Sequence, residues 1–243
     1  MSKLYVVGIG PGDWRELTLR ADEALRGCDC IVGYTLYVDL IRDRYPDKEY
    51  RATAMRGEVE RCRLALELAR EGRAVAVICG GDAGIYGMAG LILELRGGDE
   101  SVDVEIVPGL TAAIGGAALL GAPLGHDFAV ISLSDLLTPW EDIERRLEAA
   151  AAADFCVALY NPGSQKRRDH LRRACDALLL HKSGDTVCGV ARNVARAGEA
   201  TRLMSLNELR DYEADMFTLA FVGNACTRVI GGRMVTPRGY RDV

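Results

Sequence analysis

Histidine is scarce in this chain, and its three copies lie too far apart in sequence to offer a metal-ligand spacing. Aromatic residues make up only 6%, which leaves little material for a base-stacking surface. No apolar run approaches the length of a membrane span. The opening "MSKLYVV" moves into a strand without a signal-peptide pattern, so a cytoplasmic location is expected. Positive charge is not in excess either: 30 Lys and Arg stand against 35 Asp and Glu, for a net charge of −5 and a pI near 5.4. Neither a nucleic acid nor a membrane is therefore expected as a partner.

Cysteine is plentiful but unpatterned. The eight residues contain no C-x-x-C, and the closest pair is Cys28 and Cys30. Most sit inside apolar runs such as "AVAVICGG" and "DTVCGVA". They read as small buried hydrophobes in a reducing compartment, and no metal site is expected.

What is there is an α/β rhythm. At 243 residues, with 49% hydrophobic and 27% charged residues, the chain suffices for one large domain or two of ordinary size. "LYVV" reads as a strand, "ELTLRADEALRGC" as a helix and "CDCIVGY" as a further strand. "EVERCRLALELAREG" puts Val59, Cys62, Leu66 and Ala69 on one helical face, with Gly72 placed to end the helix. "RAVAVICGG" is a nearly unbroken apolar run, as expected for a strand covered on both faces. "VDVEIVPG" alternates Val102, Val104 and Ile106 against acids. This order implies a mostly parallel sheet between helices.

A second unit begins after the small-residue segment Thr111–Pro123, with the boundary near residues 115 to 122. "HDFAVISLS" reads as a strand and "PWEDIERRLEAAAAA" as a helix with Pro139 near its first turn. "DFCVALYNP" is a strand running to Pro162, and the basic helix "QKRRDHLRRACDALLLH" follows. "DTVCGVARNV" is another strand, Ser205 and Glu208 make a capping box, and Gly231–Gly232 mark a hairpin between closing strands.

The functional signal lies at the strand ends. Residues Leu4 to Trp14, "LYVVGIGPGDW", open a strand into Gly8, Gly10 and Gly12. A pyrophosphate cradle needs G-x-G-x-x-G with free backbone N–H groups. Here Asp13 replaces the third glycine and Pro11 removes a donor, so a phosphate-bearing ligand is disfavoured. The spacing is similar to the glycine loop of Rossmann-like methyltransferases, yet "CDCIVGY" ends without their ribose-binding acid. A plain strand-to-helix turn remains an alternative. After the next apolar strand, "CGGDAGIYGMAG" keeps the backbone bare, and Asp82 suits a cation or ribose hydroxyls, or a helix N-cap. "PGLTAA", "ALYNPGS", "VARNV" and "TLAFVGNA" mark further strand ends. In open α/β sheets ligands sit outside the carboxyl ends of the strands, so these motifs point to a composite site.

In this order "GIGPGD", "GGDAGIYGM", "VPGLTAA", "ISLSDLLTPW", "LYNPGS" and "TPRGY" closely resemble the tetrapyrrole methylase family, over nearly the whole chain. "ISLSDLLTPW", "YNPGS" and "GRMVTPRGY" resemble most the branch that methylates C17 of a corrin precursor, precorrin-3B or cobalt-factor III, in cobalamin biosynthesis. The wider family often has Pro after the Asp of "GGD", where this chain has Ala83. The resemblance implies a two-domain α/β fold, 1–117 and 118–243, each domain a mixed sheet flanked by helices, with the active-site cleft between them. It implies S-adenosylmethionine as cofactor, S-adenosylhomocysteine as product, and a homodimer. The cofactor residues it implies are Gly80, Gly81, Asp82, Ile85, Thr111, Ala112, Tyr160, Asn161, Ala191, Arg192, Thr218 and Leu219. The loop bearing Gly10, Pro11 and Asp13 is expected to face the tetrapyrrole.

Methyl transfer to a nucleophilic ring carbon depends chiefly on positioning. Ring contraction, associated with this branch, also moves protons and invites an acid or base. "HDFAVISLSD" offers His126, Ser132, Ser134 and Asp135, of which Ser132 and Asp135 are the catalytic candidates. Ser132 and Ser134 share a face if the strand persists, and a capped strand-to-helix turn is the alternative. Tyr34 and Tyr37 are placed to flank a flat macrocycle or simply to pack. Arg56, Arg61 and Arg238 are candidates for its carboxylates. The run "SQKRRDHLRR" is a weaker one, since basic helix faces usually meet solvent. Two other readings stand beside this one: methylation at another ring carbon, and a non-catalytic corrinoid-binding protein of the same fold.

Overall fold

A computed structural model of the chain describes residues 2–164 and 167–240, which divide into two compact units, Met1–Ala112 and Ala113–Val243. In the first unit, β1 (Ser2–Gly8), β2 (Cys30–Tyr34), β3 (Glu49–Thr53), β4 (Val75–Cys79) and β5 (Val102–Val107) form a five-stranded sheet in the order β3-β2-β4-β1-β5. Every pairing in it is parallel. The connecting helices are α1 (Leu19–Gly27), α2 (Thr35–Ile41), α3 (Glu58–Arg70) and α4 (Ala89–Arg96).

Helices cover both faces of this sheet, which explains the apolar runs. Leu4, Val6, Val75 and Val77 pack into one core with Cys62, Leu66 and Ile92 of α3 and α4. Their neighbours Val7, Ala76 and Ile78 point the other way, into a core with Leu25, Val38 and Ile41 of α1 and α2. Central β4 is buried along its whole length.

One detail differs from the sequence reading and one agrees with it. In α3 the buried stripe begins at Arg61 and Cys62 and continues through Ala65, Leu66 and Ala69, which leaves Val59 in the first turn exposed. Gly72 does end the helix, at φ +94°, with its amide donating to the Ala69 carbonyl.

The second unit holds α5 (Ala112–Leu120), whose first residue closes the first unit, then β6 (Gly121–Ala122), β7 (Phe128–Ser132), α6 (Trp140–Ala152) and β8 (Cys156–Tyr160). There follow α7 (His170–Leu179), β9 (Val187–Arg192), β10 (Ala200–Ser205), α8 (Leu206–Arg210), β11 (Thr218–Val222), β12 (Arg228–Ile230) and β13 (Arg233–Val235). Five of the strands form a mixed sheet in the order β10-β9-β11-β8-β7. Here β7 and β8 run parallel, while β8–β11, β11–β9 and β9–β10 are antiparallel. One core beneath it joins Leu133, Ile143, Leu147, Leu159, Leu171, Leu178 and Val222. A small sheet, β12-β13-β6, carries the closing hairpin, with Gly231 at φ +56° and Gly232 at φ +76° in the turn.

The expected capping box is present: Ser205 Oγ accepts the Glu208 amide and the Glu208 carboxylate accepts the Ser205 amide. The strand "DFCVALYNP" stops at Tyr160 rather than Pro162, because Asn161 turns to φ +54°. The basic helix starts at His170, and Gln165 and Lys166 of that reading lie outside the described residues. No helix among the described residues is long and apolar enough to cross a membrane.

Seven of the eight cysteines are buried and Cys226 is exposed. Burial pushes the Cys28 and Cys62 thiols up to about 11 and those of Cys79 and Cys175 up to about 12. They remain protonated and inert at neutral pH.

Candidate functional site

Parallel pairing places every carboxyl end of the first sheet on one edge, and the loops that leave β1, β4 and β5 touch there. Gly10 and Gly81 exchange two backbone hydrogen bonds, of 3.0 and 2.7 Å. Gly10 holds φ +75° and Gly81 φ +72°, a region that favours glycine. A Cβ on Gly8 would sit 2.7 Å from both the Gly109 amide and the Gly81 carbonyl oxygen, and one on Gly109 would collide with Gly8 and Gly81. These glycines let three strand-end backbones meet.

Asp82 joins the same loops. One oxygen accepts the Gly84 and Ile85 amides at 2.7 and 3.1 Å, and the other accepts the Gly109 amide at 2.9 Å. It is a loop staple and not the helix N-cap, since α4 starts after Met88. Ile85 and Tyr86, at the tip of the loop, are exposed, while Thr111 is buried and Ala112 opens α5. Gly80 has a different neighbour, for a Cβ there would meet the Tyr37 ring at 2.6 Å.

In the first loop Asp13 caps a short 3₁₀ turn, Trp14–Glu16, and pairs with Arg15 at 2.7 Å. The hydrogen bonds from the Arg15 guanidinium and amide hold its carboxyl below the ordinary value. Pro11 is buried. Beside the loop lies a cavity of about 270 Å³, lined by Ile9, Asp13, Trp14, Leu17, Leu40 and Arg44 among others.

Tyr34 and Tyr37 meet edge to face, with centroids 5.4 Å apart and rings 86° to each other, so they do not form two parallel walls. Arg56 is exposed at φ +68°. Arg61 is only 3% exposed and bonds to Thr53 Oγ1 and the Ala54 carbonyl. It therefore anchors α3 and offers nothing to a ligand's carboxylates.

The second unit has its own edge. The carboxyl ends of β7 and β8 lie side by side, Ser132 opposite Tyr160, and that of β9 carries Arg192 opposite Thr218. Thr218 and Leu219 begin β11, and its antiparallel direction brings them to the ends of its neighbours. Tyr160 Oη accepts the Ala113 amide at 2.8 Å in the first turn of α5. Ser132 Oγ accepts the Ser134 amide at 3.2 Å and the Asn161 Nδ2 donor at 2.9 Å. The strand stops at Ser132, and Ser134 belongs to the turn beyond it.

Ala191 and Leu219 are buried, and Ala191 lies 3.2 Å from where a Cβ on Gly116 would stand. Thr218 Oγ1 donates to Asp215 at 2.7 Å, and the exposed Arg192 pairs with the same carboxylate at 2.7 Å. Burial raises the Asp215 carboxyl, but the Thr218 hydroxyl, Arg192 and the Phe217 amide outweigh it, and the net shift is downward. Arg168, Arg172, Arg192 and Arg210 line a groove of about 720 Å³ together with Asp211 and Asp215. His126 and Arg238 are exposed.

Asp215 and His170 escaped the sequence reading. His170 sits in a basic run, and its neighbour across the fold, Asp135, is far away along the chain. No spacing rule links the two.

Residues 3–210 match the family Tetrapyrrole (Corrin/Porphyrin) Methylases. The chain is 49% identical to a probable cobalt-factor III C(17)-methyltransferase of Salmonella typhimurium, over 98% of this chain and 99% of that protein. It is 46% identical to the cobalamin biosynthesis protein CbiHC of Archaeoglobus fulgidus over 99% of this chain, and spans 53% of that longer protein. Among solved structures it superposes on the methyltransferase CobJ with a TM-score of 0.90 and 38% identity, over 98% of this chain and all of that one.

Proposed function

The chain belongs to the tetrapyrrole (corrin/porphyrin) methylases, and from that premise we propose that it transfers the methyl group of S-adenosylmethionine to C17 of cobalt-factor III in cobalamin biosynthesis, with ring contraction. The observation that carries this reading is the 49% identity to the Salmonella typhimurium relative across both whole chains. It also favours the cobalt-containing substrate over precorrin-3B.

The residues at the strand ends fit such a cofactor. S-adenosylmethionine carries a sulfonium and no phosphate, and the loop 80–90 contains no Lys or Arg but presents bare backbone, Asp82 and the exposed Ile85. Gly80, Gly81, Asp82, Ile85, Thr111 and Ala112 are the proposed cofactor residues of the first unit. Tyr160, Asn161, Ala191, Arg192, Thr218 and Leu219 are those of the second. When bound, the cofactor supplies an electrophilic methyl group, and the chain's task is to hold the acceptor carbon in line with the S–CH₃ bond. Gly10, Pro11, Asp13, Tyr34, Arg56 and Arg238 are the proposed contacts of the tetrapyrrole. A homodimer in the cytoplasm completes the reading, as the family resemblance implies.

The test is incubation of the purified protein with S-adenosylmethionine and either cobalt-factor III or precorrin-3B, followed by product mass. Gain of one methyl with cobalt-factor III is expected. No gain with either substrate, from protein that binds S-adenosylhomocysteine, would remove the proposed substrate and leave the cofactor assignment standing.

A further inference from the structure

Three buried side-chain nitrogens among the described residues have no hydrogen-bond partner: Trp140 Nε1, Arg167 Nη1 and His170 Nε2. Buried polar atoms without a partner are rare, and each calls for an explanation. Two of these side chains act on one carboxylate, that of Asp135, and the third, Trp140, packs on the imidazole. His170 Nε2 lies 3.2 Å from Asp135 Oδ2, within ion-pair range but out of line for a hydrogen bond. The Trp140 ring meets the imidazole edge to face at 5.0 Å, and the Arg173 guanidinium lies over that indole at 4.1 Å. Arg167 is close enough for its charge to act on Asp135.

The pair is asymmetric. The His170 side chain is 7% exposed, whereas that of Asp135 is 40% exposed, in the turn just beyond Ser132. On its other side His170 Nδ1 faces Asp169 Oδ1 at 3.2 Å. The charged groups around the imidazole are thus Asp135 from the turn after β7, Asp169 and Arg167 ahead of α7, and Arg173 over the Trp140 ring. An imidazole can carry hydrogen on both nitrogens, and each nitrogen here faces a carboxylate. The architecture is an exposed acid backed by a fixed, buried partner, as in sites where a second group orients an acid–base residue.

We propose that Asp135 is the acid–base residue of the second unit and that His170 is the positioning residue that aims its carboxylate. The proposal rests on the methyltransferase reading and adds to it the group that exchanges protons with the substrate. In this step the Asp135 carboxylate takes a proton from an O–H or N–H of the substrate. The bonding pair stays on the substrate, and the resulting carboxylic acid returns the proton to water through its exposed side. No electron is transferred and no further reagent is consumed. Partial burial raises the Asp135 carboxyl, but His170 and Arg167 more than offset it and the net shift is downward, which suits a proton acceptor at neutral pH.

The experiment compares wild type, Asp135→Asn, His170→Leu and His170→Gln in methyl transfer across pH, with S-adenosylhomocysteine binding and thermal midpoint measured on each. Asp135→Asn should lower kcat about 100-fold or more with KM and cofactor affinity near wild type. His170→Leu should lower kcat and move the acid limb of the pH profile upward, while His170→Gln, which restores an N–H donor, should recover part of kcat. The chain has three histidines, and His126 and His181 are exposed, so the buried imidazole is assignable by NMR. Its resonance should move in Asp135→Asn even without substrate. An Asp135→Asn protein with undiminished kcat, an unmoved acid limb in both His170 variants, or an unchanged imidazole signal would each overturn the proposal. Absence of methyl transfer by the wild type would instead remove the reading on which it rests.

Discussion

The carboxylate of Asp82 accepts the amide of Gly109 at 2.9 Å and so ties the loop after β4 to the loop after β5. With its other oxygen on the Gly84 and Ile85 amides, one side chain satisfies three backbone donors. Asp82→Ala strands those donors and should cost about 1–3 kcal/mol in urea unfolding. The loosened loop should also bind S-adenosylhomocysteine more weakly in a calorimetric titration. Asp82→Asn keeps one acceptor oxygen and should lose less on both counts. Wild-type stability in Asp82→Ala would show that the loops hold without the staple.

The meeting of Gly8, Gly81 and Gly109 makes a sharp contrast with a glycine that has room. A Cβ at Gly109 would strike the backbone of Gly8 and Gly81, which cannot rotate away. Gly109→Ala is expected to destabilise the protein by about 1–3 kcal/mol or more. Gly90, inside α4, has no atom within 4 Å of an added Cβ. Gly90→Ala should therefore stabilise by about 0.5–1 kcal/mol through helix propensity. Paired denaturation curves read both signs in one experiment.

Acid sensitivity should follow Asp22. Its oxygens receive Arg26 Nε at 2.7 Å, Tyr45 Oη at 2.6 Å and Arg44 Nε at 3.1 Å. Burial raises this carboxyl, but the three donors outweigh it and bring it from 3.8 to about 2. A depressed native value means that the contribution to stability is complete above about pH 4 and is lost as pH falls towards 2. Asp22→Asn should melt earlier than wild type at pH 7, and the gap should close across that window. A gap independent of pH would point to lost packing instead of lost charge.

Thiol reactivity should be confined to one residue. Cys226 is exposed, and the other seven cysteines are buried, five of them with thiols that burial pushes upward to about 11 or beyond. Titration of the folded protein with an aromatic disulfide reagent should release one equivalent rapidly, and Cys226→Ser should release none. All eight should react in denaturant. Rapid release of two or more equivalents from the native protein would mean that a core opens on the timescale of the assay.

Much of this was legible along the chain. Strands buried on both faces must be apolar at every position, so β1 and β4 stand out, and caps such as Ser205–Glu208 are local chemistry. Edge strands β3 and β10, "EYRAT" and "ATRLMS", are half-buried or exposed along most of their length and carry no such pattern, so periodicity passes over them. Motif order was enough to identify the family, and Gly8, Gly10, Gly81 and Gly109 within it serve close backbone approaches or positive φ values that favour glycine. What each polar residue does there depends on distant partners. Asp82 could be read as a cap or a ligand, and it is the position of Gly109 that makes it a staple. Arg61 reads along the chain as a candidate for the substrate's carboxylates, and the packing of α3 buries it. His170 gains its meaning only from Asp135, which strand pairing and helix packing bring within 3.2 Å. Backbone conformation and burial are written locally in side-chain shape and polarity, whereas the pairing of charges is set by the fold that brings them together.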